Sequence, residues 1–99
     1  MEDKGGRKLT TYHVIFKGHV QGVGFRAHVK SCCDLFNVPG TVRNKTNLDV
    51  EAYFQTNGKT FQALIDRIQR TAHRFVKINA IDWEIVNDET NYTTFKIIH

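Results

Sequence analysis

The chain reads as an α+β sandwich, with two helices on one face of a mostly antiparallel sheet. Three observations predict this. Apolar residues alternate with period two in several short runs, and between those runs they recur with helical spacing. The resulting order is strand, helix, strand, strand, helix, strand, with one more short strand at the end. Composition agrees, since 40% hydrophobic and 24% charged residues in 99 suit one compact domain and exclude disorder. That length holds one domain at most. We expect residues 1–8 to form a flexible tail and residues 9–99 to form the domain.

The first strand is expected over residues 11–17, where Tyr12, Val14 and Phe16 share one face. Gly18, Gly22 and Gly24 are expected to break it. Phe25, Val29, Cys32, Cys33 and Phe36 then fall at i, i+4, i+7, i+8 and i+11, the stripe of a core-facing helix. Asn37 tolerates the left-handed conformation of a helix end, and Pro39 prevents continuation.

Residues 40–45 and 49–55 read as a hairpin around Thr46, Asn47 and Leu48, with Val50, Ala52 and Phe54 inward. The second helix carries Phe61, Leu64, Ile65, Ile68 and Ala72, with Asn57 or Gly58 as its cap. Ile81, Trp83 and Ile85 alternate in the next strand, and Phe95 with Ile97 marks a short last one after a polar turn at residues 87–91. Two βαβ units joined by a hairpin describe the ferredoxin-like βαββαβ sandwich. That architecture hosts binding modules and enzymes alike, so function has to be read from a site.

Fourteen basic against ten acidic residues give a net charge of +4, interleaved and not blocked. This suits a small anionic ligand better than a nucleic-acid arm. Cys32 and Cys33 are adjacent, a poor basis for a disulfide framework, which favours a reducing compartment. Residues 1–8 carry no apolar stretch, and no run in the chain is long enough to span a bilayer. The expectation is a soluble cytoplasmic monomer without membrane or nucleic-acid partners.

Between the first strand and the first helix lies Gly18-His19-Val20-Gln21-Gly22-Val23-Gly24-Phe25-Arg26. A glycine-rich turn ahead of a helix N-terminus attracts anions, because the first helical N–H groups lack partners and the helix dipole is positive there. Arg26 stands at the unfavourable end of that dipole for a cation, which an anion in the loop would offset. By itself the loop is a weak signal. It lacks the Gly-Lys-Ser/Thr ending of a nucleotide P-loop and the third glycine of a dinucleotide fingerprint.

The pattern Gly18-x-Val20-Gln21-Gly22-Val23-x-Phe25-Arg26, followed by Gly40-x-Val42-x-Asn44 and Val50-Glu51, resembles both signatures of the acylphosphatase family. The resemblance runs from about Tyr12 to the end of the chain. It implies a hydrolase cleaving the carboxyl–phosphate bond of acyl phosphates, releasing a carboxylate and inorganic phosphate. Arg26 would hold phosphate and Asn44 would place the attacking water. Phosphate would lie on the loop of Gln21, Gly22, Val23, Gly24, Phe25 and Arg26. The chain departs from the family pattern at three positions: Thr41 replaces a frequent aromatic, Asn47-Leu48 replaces Asp-Gly, and Asn37 replaces a common glycine. Leu48 is expected to strain or lengthen the hairpin turn.

Few residues are needed for such chemistry. The leaving carboxylate has a conjugate acid of pKa about 4, so no general acid is required. Phosphoryl transfer needs alignment and charge stabilisation more than covalent help. The arginine fork suits phosphate in a way lysine cannot reproduce. Carboxylates are scattered and His28, Cys32 and Cys33 are not completed by further ligands, so neither a metal nor a cofactor is expected. The remaining histidines, His13 among them, show no partner spacing and are expected at the surface. The alternatives are a non-catalytic phosphate-binding module and an RNA-binding module of the same fold. The latter is disfavoured because the third strand reads Val50-Glu51-Ala52-Tyr53-Phe54 and carries an acid.

Overall fold

A computed structural model describes residues 9–99; the tail expected over residues 1–8 lies outside the described residues. The elements in chain order are β1 (Thr10–His19), α1 (Phe25–Phe36), β2 (Gly40–Asn44), β3 (Val50–Thr56), α2 (Gly58–Arg70), β4 (Lys77–Val86) and β5 (Phe95–Ile97). They form one sheet in the order β4-β1-β3-β2-β5. Neighbours are antiparallel except β2 and β5, which run parallel.

Alternation in β1 and β3 sends Tyr12, Val14, Phe16, Val50, Ala52 and Phe54 into one core with the apolar stripes of both helices. Phe16, Phe25, Phe54, Leu64 and Ile68 are fully buried there. Each such side chain contributes about 1.5–3 kcal/mol relative to exposure. The helices also meet directly, with His28 Nε2 of α1 lying 3.0 Å from the Ile68 carbonyl of α2.

The ends of the helices follow from side chains and left-handed turns. Asn37 adopts φ 56° after α1. Its N–H donates to the Asp34 carbonyl, and that of Val38 donates to the Cys33 carbonyl, the paired bonds of a Schellman end. Asn57 caps α2 by accepting the Thr60 N–H at 2.8 Å on its side-chain oxygen. The helix stops at Thr71, whose hydroxyl donates to the Arg67 carbonyl, so Ala72 lies beyond it and the stripe expected to include Ala72 is one position too long.

Two further expectations are corrected. Gly18 does not break β1; the strand runs on to His19 through a bulge between Lys17 and Gly18. There the backbone has φ 133°, and a Cβ would lie 2.1 Å from the Lys77 carbonyl oxygen, so only glycine fits against β4. His13 is not a free surface histidine. It sits on the sheet face away from the helices, with Nε2 2.7 Å from Glu51 Oε2 and Nδ1 3.4 Å from Glu84 Oε2.

In β4 the expected alternation holds in register, since Ile81, Trp83 and Ile85 stand opposite Phe16, Val14 and Tyr12. Burial does not follow, and Trp83 and Ile85 remain 54% and 63% exposed. As an edge strand, β4 has a sheet neighbour on one side only. Trp83 still packs edge-on against Phe61 at 5.1 Å between ring centres.

Candidate active site

Gly22 and Gly24 shape the loop between β1 and α1, with φ 75° and 77°. Both lie in the left-handed region that side chains resist, and no atom lies within 4 Å of a Cβ built at either. The backbone is thus bare toward solvent at the head of α1. Gly24 is the N-cap, and it supplies no side-chain bond to the helix. The first helical bond runs from the His28 N–H to the Gly24 carbonyl at 3.1 Å. The N–H groups of Phe25, Arg26 and Ala27 therefore precede any intrahelical partner. No acidic residue stands in that first turn to neutralise them.

The residues carrying these amides line a cleft of about 470 Å³, together with Gly22, Gly24 and, from the end of β2, Asn44. Among the described residues Arg26 forms no ion pair with a carboxylate. Its charge adds to the positive end of the helix, making an electrostatic well for an anion. Asn44 ends β2 opposite Val50. Its Oδ1 is buried and accepts no hydrogen bond among the described residues. A buried acceptor left so costs about 1–3 kcal/mol, which a ligand or water donating to it would recover.

The two remaining loop positions lie elsewhere. Val23 packs against the core. The Gln21 side chain turns toward the hairpin, where Nε2 donates to the Lys45 carbonyl at 2.8 Å and the Asp49 carbonyl at 2.9 Å. The side-chain donors of Gln21 are thus committed to the hairpin, and a donor for an anion would have to be its backbone N–H.

Val20, Ala27, Ile97 and His99 also line the cleft, and sequence reasoning did not find them. The parallel register sets Val42 beside Ile97, so two residues further on Asn44 and His99 come level. No local signal marks that pairing. The cleft walls are mostly apolar, and among the described residues lining them Arg26, Asn44 and His99 carry the polar side chains and none is Asp or Glu.

The vicinal cysteines stand apart from this site. Both are free and buried, and burial pushes both thiols up from their ordinary pKa, Cys33 the more strongly. Among the described residues no group of three His, Cys, Asp or Glu side chains is placed to hold a metal ion. Among the described residues no helix is long and apolar enough to cross a membrane.

A model of the acylphosphatase family matches residues 12–97. An acylphosphatase of Treponema denticola is 34% identical over 89 residues, covering 90% of this chain and 93% of that protein. One of Clostridium acetobutylicum is 32% identical over 92% of this chain and 99% of its own. The crystal structure of acylphosphatase from Bacillus subtilis superposes with a TM-score of 0.84 at 26% identity, covering 93% of this chain and all of that one. Sequence and fold agree, and the chain belongs to the acylphosphatase family, enzymes that hydrolyse acyl phosphates.

Proposed function

We propose that this chain hydrolyses small acyl phosphates by direct attack of water on a phosphoryl group held at the head of α1, without a metal ion. The phosphoryl oxygens accept from the free amides of the loop and from the guanidinium of Arg26, whose fork offers two parallel charge-assisted bonds. The attacking water donates one hydrogen to Asn44 Oδ1. The observation that carries this reading is that Asn44, whose buried Oδ1 has no partner among the described residues, lines the same cleft as Arg26.

The new bond forms between water oxygen and phosphorus as the bond from phosphorus to the acyl oxygen breaks. The electron pair leaves with the carboxylate, a weak base that needs no proton to depart. The water proton passes to a phosphate oxygen, giving a carboxylate and inorganic phosphate. The positive charge that a metal would bring to such a transition state comes from Arg26 and the helix amides, and among the described residues lining the cleft there is no Asp or Glu to bind a cation. The apolar wall of Val20, Ala27 and Ile97 is the surface left for the acyl group.

The test is phosphate release from benzoyl phosphate at neutral pH with and without a chelator. Turnover unaffected by chelator, and competitive inhibition by inorganic phosphate, are expected. Loss of activity in chelator with recovery on adding magnesium would overturn the metal-free mechanism. Phosphate binding without turnover would replace hydrolysis by a binding role. Salt-sensitive RNA binding without turnover would favour a nucleic-acid module, against which the sheet's open face sets Glu51 and Glu84 around His13.

A further inference from the structure

We propose that Gln21 is a positioning residue that fixes the phosphate loop at its working distance from Asn44. The proposal rests on the reading of Arg26 and Asn44 given above. The two halves of the cleft come from separate parts of the chain, the loop after β1 and the end of β2. Sheet hydrogen bonds position Asn44, but the residues between His19 and Phe25 belong to neither sheet nor helix. Val20 and Val23 anchor this segment in the core, but Gly22 and Gly24 leave the backbone around them free to move.

From within this segment, the Gln21 side chain hydrogen-bonds across to the hairpin. Both hydrogens of the Gln21 carboxamide are used, one on the Lys45 carbonyl at 2.8 Å and one on the Asp49 carbonyl at 2.9 Å. Lys45 follows Asn44 directly, and Lys45 with Asp49 closes the hairpin through a bond from the Lys45 N–H to the Asp49 carbonyl at 2.8 Å. The loop is thereby tied to the rigid pair adjoining the water-holding residue. Two bonds from one planar amide fix orientation as well as distance. Phosphate binding uses amides and Arg26 on the loop's own side, whereas attack requires water on Asn44 to line up with phosphorus across the cleft. Gln21 should therefore govern kcat more than phosphate affinity.

Its removal leaves the hairpin intact. The Asp49 carbonyl keeps its bond from Lys45 N–H, and the Lys45 carbonyl keeps its bond from the Leu48 N–H at 3.2 Å. Gln21→Met preserves length without the donors, and Gln21→Glu places a carboxylate against two carbonyl oxygens. We compare both with the wild type and with Asn57→Ala, which weakens the α2 cap remote from the cleft and controls for lowered stability. The measurements are kcat on benzoyl phosphate, Kd for inorganic phosphate by calorimetry, and melting temperature.

With both Gln21 variants, kcat should fall about tenfold or more while phosphate Kd changes by less than about threefold. Asn57→Ala should melt earlier and keep its kcat. Wild-type kcat in the Gln21 variants would overturn the proposal and leave the functional reading standing, as would loss of phosphate affinity in step with kcat. A wild-type protein that binds phosphate but never turns over benzoyl phosphate would overturn the functional reading and this proposal together.

Discussion

His13 Nε2 stands 2.7 Å from Glu51 Oε2, on the sheet face turned away from both helices. Arg43 Nε donates to the other oxygen of the same carboxylate at 2.7 Å. Burial by itself would raise the Glu51 pKa, but the bonds from His13 and Arg43 outweigh it and hold the carboxyl below its ordinary value.

Glu51 should accordingly make stability depend on pH. A carboxyl depressed in the folded state stabilises fully above its unfolded pKa, and that stabilisation is lost as pH falls through the folded one. Glu51→Gln should be less stable than wild type at pH 7. The gap should begin to close below the ordinary glutamate value of about 4.3 and vanish under the depressed value. Urea melts of both proteins across that range check this, and a gap independent of pH would show that Glu51 acts through shape alone.

Arg26→Ala should weaken phosphate binding roughly tenfold to a hundredfold, the loss of charge-assisted bonds of about 1.5–3 kcal/mol. Arg26→Lys should recover little of it, because the ammonium lacks the fork. Folding stability should hold or rise slightly, since a cation leaves the positive end of α1. Calorimetry with inorganic phosphate and a thermal melt decide the matter, and retained affinity in Arg26→Ala would remove the residue from the site.

Asn44→Ala should lower kcat about a hundredfold while leaving phosphate Kd nearly unchanged. Its Oδ1 accepts nothing from the described residues, so truncation should cost no stability through that atom. Asn44→Asp keeps the shape but puts negative charge near phosphate, and both kcat and affinity should fall. If Asn44 serves only the strand end, Asn44→Ala would instead lose about 1 kcal/mol of stability and keep its turnover.

Leu48→Gly should stabilise the protein. Leu48 holds φ 78° at the end of a turn closed by its own N–H on the Lys45 carbonyl. A left-handed residue with a Cβ costs roughly 1–2 kcal/mol, and the freedom glycine adds to the unfolded chain returns about half of that. Leu48 is 66% exposed, so little packing is lost. A net gain of up to about 1 kcal/mol would raise the melting temperature by roughly 4–8 °C. An unchanged or lower melting temperature would show that the turn carries no such strain.

Local pattern was enough to read much of this protein. Period two named the inward faces of β1 and β3, period 3.6 named the buried stripe of α1, and Asn37 ended that helix as expected. The two signatures led to the family, and even the departures from them were informative. Asn37 and Leu48, standing where glycine is usual, are the two non-glycine residues of positive φ among those described.

Only the tertiary structure decided what meets across the cleft. Strand order brought β5 beside β2 and so Ile97 and His99 to the site, and it placed β4 at the edge, leaving Trp83 and Ile85 exposed despite their correct alternation. It also turned Gln21 toward the hairpin and gave His13 its carboxylate partners. The physical reason is common to all of these. Periodicity reports which side of a segment is apolar, a property of neighbours in sequence. Register, strand order and the partner of a polar side chain depend on residues tens of positions away, brought together when the whole sheet closes over one core.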